Sequence, residues 1–543
     1  MDRHVRKSAT ASGAGTGFGM ASILMWMCSL LGVWLCILLY FVHTGYLHAP
    51  TQVEQIGARL ENAVLAGEQE LAYLLGAYIH SDQSAHQMAS VQLNKDTGDA
   101  HQAAAVHLEQ LRGGIEHAGK DIHYSAQTDN ASGTHRPSES LSATGAGEVH
   151  VVFSTDCTPF QDWQTLVLFH SATVVGQKGA ITRIASGCDD EKKGTLIKLY
   201  EKLWPDRPYR AHFTPDFKHD AKSNKKYDFY NKPWGVKHWL EFADPPVQPE
   251  VVVALLDPDM ILLRPITVDV SSQENAIWSM KLEKSEMIPR VVEGRPVAQL
   301  YGLGAPWTND KHQKFNRAKI CGEGSACLEA KEHWAAEHFS VGPPYLVHKR
   351  DMVRICDTWT QFVPKVYEGY PYLLAEMYAY SMAAAHEKLP HLQGEHYMVS
   401  NTDVNPGEGW PWVDDLPDGV CELPQGENGL FFPGRKVPTV MHYCQFFRAG
   451  DVGFQKRRIP KDIFSCGGDM MLDIPKGLDL TTYQIKDGKK VNYRGNKQAK
   501  RNAFALCVIH KAINAAVLDF KSKMCADDPS TKYNRVLNVA GLK

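Results

Sequence analysis

Residues 251–265 read VVVALLDPDMILLRP, an apolar run that two aspartates interrupt near its middle. Continuous apolar runs of this kind are typical of strands that are buried on both faces of a parallel sheet. An ionised aspartate is seldom buried without a partner, because removing its charge from water is costly. Asp257 and Asp259 therefore require a compensating positive charge at the end of this strand.

Strands and helices alternate from Val149 onward. The strand-like segments are VHVVFST, GAITRIAS, VVVALLD, HFSVGPPYLVHK and TVMHYCQFF, and the helical ones are TLIKLYEKLW, PWGVKHWLEF, RDMVRICDTWTQFV and LLAEMYAYSMAAAHE. This order predicts an α/β fold with a central, mostly parallel sheet that helices cover on both faces. Ligands bind such sheets beyond the carboxyl ends of the strands, where Asp257 and Asp259 lie. Residues 267–340 are rich in Gly, Lys and Glu, and we interpret them as an insertion over the site.

The N-terminal part predicts a membrane anchor. Residues 20–42 carry no charge and are long enough to cross the hydrocarbon core of a bilayer. Basic residues precede them, which predicts a cytoplasmic tail at 1–19, a single-pass signal anchor at 20–42 and a lumenal remainder. That remainder divides into a stem or linker at 43–148, an α/β domain at 149–475 and a basic C-terminal extension at 476–543. A cleaved signal peptide is the alternative, although no typical cleavage site follows the apolar core.

The predicted stem has two parts. Residues 51–80 carry an apolar stripe at helical spacing, which could pair with a second chain to form a homodimer or lie solvated without a partner. Residues 81–148 are polar and contain few large apolar groups, which indicates a flexible spacer. The spacer also holds the sequon Asn130-Ala131-Ser132, where a glycan could be attached.

The cysteine content and the net charge indicate which bonds the cysteines form and which partners the protein lacks. Ten cysteines lie outside the predicted anchor, no CxxC pair is present, and a lumenal location favours disulfides over metal sites. Cys321 and Cys327 could close a local glycine-rich loop. The net charge of −3 and the absence of a nucleic-acid-binding motif exclude nucleic acid as an expected partner.

Two acids one residue apart at a strand end suit a divalent cation that also binds a diphosphate. Mn²⁺ and Mg²⁺ take carboxylate oxygens and use substrate phosphates as further ligands. Such a cation neutralises the charge that develops on a nucleoside-diphosphate leaving group. The D-x-D pattern is common on turns, but its position directly after VVVALL favours this interpretation.

Six segments together carry a more specific signal. They are VVFSTDCTPFQDWQT, ITRIASG, YNKPWGVKHWLE, LLDPDMILLRPI, LLAEMYAYSMAAA and VMHYC, in that order. Through them the chain resembles the plant and algal peptidyl glycosyltransferases, which include hydroxyproline O-arabinosyltransferases and peptidyl serine α-galactosyltransferases. The resemblance implies a GT-A-like nucleotide-sugar-binding domain at 149–475, anchored in the Golgi or endoplasmic reticulum membrane. It implies a metal-dependent, retaining transfer of arabinofuranose or galactose from a UDP-sugar to hydroxyproline or serine hydroxyls of secreted polypeptides.

The resemblance also implies a metal site. Asp257 and Asp259 correspond to the metal-binding pair, and His442 of MHYC corresponds to a late histidine that completes the coordination of Mn²⁺ or Mg²⁺. An imidazole is an acceptable ligand for Mn²⁺. The structural alternative for His442 is a hydrogen-bonded histidine at a strand edge.

Five further residues are candidates for binding the donor. Ser154, Thr155 and Asp156 follow the first strand, where the uridine half would lie, although such residues are also ordinary in turns. Arg183 within ITRIAS and Lys232 at a helix start are placed to meet phosphate or uracil. For Arg183, a salt bridge to a structural acid explains the position equally well.

Glu376 is the strongest catalytic candidate beside Asp259. It lies in the otherwise nearly apolar helix LLAEMYAYSMAAA, where a carboxylate is costly unless it is paired or functional. In a retaining reaction it would stabilise positive charge on the sugar or act as a nucleophile, and in an inverting one it would be the base. A buried glutamate with purely structural hydrogen bonds is the alternative.

The sequence leaves alternatives for the donor sugar, the acceptor and the function. The arabinosyl branch tends to have Glu-Pro-Asp and the galactosyl branch Asp-Ala-Asp-Met, whereas this chain combines features of both in Asp257-Pro258-Asp259. A transferase that acts on glycan or lipid acceptors and a catalytically silent lectin-like or scaffold protein are the alternatives. Trp234, Trp239, Trp410 and Trp412, the last two in the segment GEGWPWVDD, could stack on sugars or bind a proline-rich acceptor, although most tryptophans are core residues. The His- and Glu-rich residues 386–396 lack metal-site spacing, and we interpret them as a surface loop.

Overall fold

The computed structural model describes residues 149–540 with short gaps. The gaps are 220–224, 271–275, 280–287, 304–305, 310–314, 405, 424–425, 427–431, 482, 487–488 and 493–496. The predicted cytoplasmic tail, membrane anchor and stem, with the sequon at Asn130, lie outside the described residues, so these assignments stay predictions.

The strands of the described chain are short, and most of them are buried. They are β1 Val149–Asp156, β2 Ile181–Ser186, β3 Tyr209–Thr214, β4 Val252–Leu256, β5 Met260–Leu262, β6 Val297–Leu300, β7 Val341–His348, β8 Leu392–Gly394, β9 Met398–Val399, β10 Val440–His442, β11 Phe447–Ala449, β12 Val452–Phe454, β13 Met470–Met471, β14 Tyr483–Lys486, β15 Lys489–Asn492 and β16 Arg535–Leu537.

Seven of these strands form the central sheet, in the order β3-β2-β1-β4-β7-β6-β8. Strands β1 to β4 pair in parallel, and β6 pairs in parallel with β8. Strand β7 runs antiparallel to both of its neighbours. The prediction of an α/β fold with a mostly parallel central sheet is therefore confirmed, with one reversed strand.

Eleven helices accompany the strands in the described ranges. They are α1 Pro159–Val174, α2 Asp190–Leu203, α3 Asn231–Phe242, α4 Arg317–Cys321, α5 Ala326–Glu329, α6 Glu332–His338, α7 Lys349–Gly369, α8 Ala375–His386, α9 Trp410–Asp414, α10 Leu478–Thr481 and α11 Lys497–Met524.

Both faces of the central sheet are covered, because successive strand residues point to opposite sides. On one side, Val152 and Val253 pack in the same core as Trp239 of α3 and Trp359 of α7. On the other side, Phe153 packs with residues of α1 and α2 in a second core. Burying each such side chain contributes about 1.5–3 kcal/mol to folding, so the sheet and its covering helices stabilise one another.

Two local interpretations of the sequence are wrong. Strand β6 lies within the segment interpreted as an insertion, yet it is part of the central sheet, since the short run VAQL is apolar enough to be buried there. The segment 386–396 is not a surface loop. His391, Glu395 and His396 are buried, and β8 pairs with β6 at the edge of the sheet.

Helix α11 lies in the part that the sequence sets apart as a basic extension. Its buried face packs in a third core with residues of α1, β5 and β10. Within the described residues it is the one helix long and apolar enough to cross a membrane, but 72% of its apolar window is buried inside the protein. Such burial is typical of a core helix, and all described residues belong to one compact unit, Glu139–Lys543.

Eight of the ten cysteines outside the predicted anchor form disulfides. The pairs are Cys157–Cys188, Cys321–Cys327, Cys421–Cys507 and Cys466–Cys525. The preference for disulfides and the local loop at Cys321–Cys327 were both expected from the sequence. The first pair joins the loops that follow β1 and β2, and the last two tie α11 to the rest of the domain.

Helix α3 can approach the sheet closely because Gly235 faces it. A Cβ atom at this position would lie 2.9 Å from Cγ2 of Ile184 in β2. Gly235→Ala should therefore lower the free energy of unfolding by about 1–3 kcal/mol through overpacking. Thermal or urea denaturation of the purified protein measures this.

Gly194→Ala in α2 is the matched control. An added Cβ there meets nothing within 4 Å, so the change should raise stability by roughly 0.5–1 kcal/mol through helix propensity. Equal effects of the two substitutions would contradict the proposed tight contact between α3 and β2.

Candidate active site

Asp257 and Asp259 lie in the turn between β4 and β5, at the carboxyl edge of the central sheet. Asp257 is 24% exposed at its side chain and Asp259 only 7%. Strand β10 pairs antiparallel with β5 and sets His442 opposite Met260, one residue after Asp259. The backbone N–H of Tyr443 donates to the carbonyl of Asp259 at 3.0 Å and closes this arrangement.

These three residues form a candidate metal centre. One ligand atom from each of Asp257, Asp259 and His442 lies within 4.8 Å of the others, and no second group of this kind occurs in the described parts of the chain. Two carboxylates and one imidazole are a donor set that fits Mn²⁺ and, with added water or phosphate oxygens, Mg²⁺. The structure thus brings together the three residues predicted as metal ligands, and their role as ligands stays a prediction.

The imidazole of His442 is held from both sides. Its Nε2 lies 3.1 Å from Oδ1 of Asp259, and its Nδ1 lies 3.3 Å from the sulfur of Met398 in β9. Burial alone lowers the pKa of His442, but the neighbouring Cys444 and Asp259 outweigh it and raise the pKa well above its usual value. Because Nε2 faces Asp259 and Nδ1 faces Met398, Nε2 is the nitrogen that can serve as a metal ligand.

Asp259 has a second cationic partner, which sequence reasoning missed. The ammonium of Lys456 lies 2.5 Å from Oδ2 of Asp259. Burial raises the pKa of Asp259, but the positive charges of Lys456 and His442 hold it far below its usual range. Lys456 lies in the run KRR, which resembles an ordinary solvated surface, so no local signal marks it.

Asp257 belongs to a second charged network, with Lys232 and Glu376. The Lys232 ammonium donates to Oδ1 of Asp257 at 2.8 Å and to Oε1 of Glu376 at 3.0 Å. Burial lowers the pKa of Lys232, but the two carboxylates outweigh it and raise the pKa. The structure thereby joins the predicted metal ligand, the predicted catalytic glutamate and a predicted donor-binding lysine.

Glu376 lies in the first turn of α8 and is 4% exposed. Its backbone N–H donates to the hydroxyl of Tyr227, and its carbonyl accepts from the indole of Trp359. Its Oε2 atom is buried without a hydrogen-bond partner in the described structure. Burial raises the pKa of Glu376, and Lys232 partly offsets this effect. A fixed backbone and one unpartnered oxygen suit a group that acts on a bound molecule.

The end of β1 lies beside β4 in the sheet, and it carries Ser154, Thr155 and Asp156. The Ser154 hydroxyl donates to the carbonyl of Asn231, next to Lys232. Oδ1 of Asp156 accepts from the backbone N–H and the hydroxyl of Thr158, which turns the chain into α1. This edge is therefore adjacent to the two charged networks, and its role in donor binding stays a prediction.

Arg183 is fully buried beneath that edge. Its guanidinium donates to the hydroxyls of Thr155 and Tyr200 and to the carbonyl of Asp156, each at 2.8 Å, and forms a salt bridge with Asp162 of α1. These contacts match the structural alternative for Arg183, a salt bridge to a structural acid. Arg183 orients the end of β1, and a direct contact with the donor stays a prediction.

No protein-family model matches the chain. Among solved structures, a galactosyltransferase named LgtC, crystallised with donor and acceptor sugar analogues, is 10% identical with a TM-score of 0.30 over 55% of this chain and 87% of that one. The glycosyltransferase GlyE of Streptococcus pneumoniae is 11% identical with a TM-score of 0.29 over 57% of this chain and 59% of that one. Likenesses with TM-scores this low do not establish a common fold.

Two curated relatives share the name peptidyl serine alpha-galactosyltransferase. The protein from Arabidopsis thaliana is 30% identical over 267 residues, which are 46% of this chain and 27% of that protein. The protein from Chlamydomonas reinhardtii is 32% identical over 123 residues, which are 22% of this chain and 15% of that protein. The matched part therefore spans about a quarter or less of either relative. Over that part the chain is similar to peptidyl serine alpha-galactosyltransferases, which confirms the resemblance drawn from its sequence.

Proposed function

We propose that this protein is a UDP-sugar-dependent glycosyltransferase with a GT-A-like domain, which transfers galactose with retention to serine hydroxyls of a polypeptide. The observation that carries the proposal is the meeting of Asp257, Asp259 and His442 with the Lys232–Glu376 pair at one edge of the sheet. The names of the two relatives favour galactose and serine over arabinofuranose and hydroxyproline.

The proposed reaction breaks the bond between sugar C1 and the phosphate oxygen, and the electron pair leaves with UDP. The serine oxygen forms the new bond to C1, and its proton passes to a phosphate oxygen of the departing UDP. A Mn²⁺ or Mg²⁺ ion held by Asp257, Asp259 and His442 would supply charge neutralisation at the diphosphate. Lys232 bridges Asp257 and Glu376, so its positive charge offsets the repulsion between the two carboxylates and orients both of them.

Glu376 is proposed to face the reacting carbon. Its unpartnered Oε2 would stabilise the positive charge that develops on the sugar ring as the bond to UDP breaks. The alternative role as a nucleophile requires a covalent galactosyl–Glu376 intermediate, which mass spectrometry of the quenched enzyme would detect. Retention itself is read from the anomeric configuration of the product by NMR.

The disulfides support a location in the secretory pathway. Four pairs in one domain are typical of an oxidising compartment and rare in the cytosol. Together with the apolar run at 20–42, they support a single-pass Golgi or endoplasmic reticulum protein with a lumenal catalytic domain. A homodimer through the stem would bring two such domains together on the membrane.

Exposed aromatic and apolar side chains beside Glu376 support a peptide acceptor. Tyr372 and Leu373, just before the N-cap of α8, are 61% and 43% exposed, and Phe229 is 41% exposed. The hydroxyl of Tyr227 donates to the carbonyl of Leu373 and accepts from the N–H of Glu376, so it ties this surface to the catalytic helix. Aromatic surfaces of this kind bind extended polyproline-II segments.

The tryptophans that the sequence suggested for this role fit it less well. Trp239, Trp410 and Trp412 are buried, and Trp234 is half-buried against Tyr230. An acceptor panel that includes serine peptides, hydroxyproline peptides, glycans and lipids distinguishes the peptide acceptor from the alternatives.

Asp259→Asn tests the metal-dependent reaction. The substitution keeps the side-chain volume but removes a ligand charge, so Mn²⁺-stimulated hydrolysis of UDP-galactose should fall at least about 100-fold. Asp228→Asn, at an acid 61% exposed at its side chain, is the matched control and should keep full activity. Equal turnover in wild type and Asp259→Asn, with both folded by circular dichroism, would refute the assignment. A wild type that is inactive across a donor panel would favour the catalytically silent alternative.

Glu376→Gln tests the catalytic glutamate. Loss of its charge should lower kcat by about 10²–10³-fold and leave KM for UDP-galactose within about threefold, because the group acts on the transition state. Glu368→Gln, at an exposed carboxylate on α7, should change neither value. A Glu376→Gln enzyme with normal kcat would assign Glu376 a structural role.

Tyr372→Ala tests the acceptor surface. Removing this exposed ring should raise KM for a serine- and proline-rich peptide by about 5–10-fold, while hydrolysis of UDP-galactose without acceptor stays unchanged. Tyr533→Ala, at a tyrosine of similar exposure that follows α11, is the control. Equal KM values for Tyr372→Ala and wild type would place peptide binding elsewhere.

A further inference from the structure

We propose that Lys456 is an internal counter-ion of Asp259, which a divalent cation displaces and which then binds the diphosphate of the donor. This inference rests on the proposed function and adds a residue that no motif of the sequence singles out. Its starting point is the contact of 2.5 Å between the Lys456 ammonium and Oδ2 of Asp259, a candidate metal ligand.

The two lysines of the site are held differently. Lys232 is 7% exposed at its side chain and bridges two carboxylates, Asp257 and Glu376. Lys456 is 25% exposed at its side chain and forms a salt bridge with Asp259. Lys232 is therefore held inside the site, whereas the Lys456 side chain borders solvent and has room to withdraw from Asp259.

The backbone on either side of Lys456 is anchored. Phe454 of β12 is fully buried and packs against Tyr443, the residue after His442. Ile459 is buried too, and its N–H donates to the carbonyl of Lys456 in a short 3₁₀ turn. A long, flexible side chain on a fixed backbone can exchange partners without refolding the segment.

Charge gives the exchange its direction. A divalent cation bound to Asp259 would repel an ammonium at hydrogen-bonding distance from the same carboxylate, so the two compete for it. Once the cation is bound, the diphosphate of a UDP-sugar brings negative charge to the same edge of the sheet. A lysine is a compact, mobile point charge that suits phosphate oxygens, so the displaced ammonium has a new partner close by.

Lys456→Met is the test, because it removes the ammonium and keeps an unbranched side chain close to the original length. Mn²⁺ binding by the full-length protein is titrated by electron paramagnetic resonance without nucleotide, and UDP binding is titrated by calorimetry at saturating Mn²⁺. The variant should bind Mn²⁺ about tenfold more tightly, because its competitor is gone, and UDP about tenfold more weakly. A merely structural lysine would not move the two affinities in opposite directions.

Arg457→Gln is the matched control. It removes a positive charge from the next residue, which is exposed, and should leave both affinities unchanged. If Lys456→Met binds Mn²⁺ no more tightly than wild type, or if Arg457→Gln reproduces its effect, the counter-ion role is overturned while the proposed function stands. If wild type binds no Mn²⁺ and shows no Mn²⁺-dependent turnover, the proposed function fails together with it.

Discussion

Desolvation of two aspartates at the end of a buried strand is the constraint on which the rest of the site depends. Strand β4 is buried along its whole length, and its direct continuation carries Asp257 and Asp259 into the edge of the sheet. Each carboxylate is compensated by its own lysine, Lys232 for Asp257 and Lys456 for Asp259. Without a positive charge beside them, from a lysine or from a bound metal ion, the two acids would have to lose their charge or move into solvent.

The fold meets this constraint by bringing distant segments to one point. The antiparallel pair of β5 and β10 delivers His442 from 183 residues away, and the hairpin after β10 leads to Lys456, 197 residues from Asp259. Helix α3 can deliver Lys232 because Gly235 lets it approach β2 closely. Packing of apolar residues far from the charges therefore determines the distances within the site.

Sequence reasoning reached the parts of this arrangement that have a local pattern. Some parts of the site place charged residues within apolar segments, and such a contrast is visible in the sequence alone. Examples are the two acids at the end of strand β4 and Glu376 in its nearly apolar helix. Lys456 has no such contrast, since it lies among other basic residues, and its role depends on a long-range contact. Sequence reasoning also missed strand β6 and helix α11. Polar residues flank or interrupt both elements and obscure their apolar faces, which become evident only from the tertiary packing.

The same physics separates the residues that hold the site from those that can act in it. Arg183 is fully buried and bonded to Thr155, Tyr200, Asp156 and Asp162, so moving it would leave several polar groups unpaired at once. The carboxylate of Glu376 keeps one oxygen without a partner, although its backbone is firmly held. In a buried site, a charged group that keeps one oxygen without a hydrogen-bond partner can gain a new interaction when a substrate binds. That difference is why we assign the proposed chemical step to Glu376 rather than to Arg183, although both are charged residues in apolar segments.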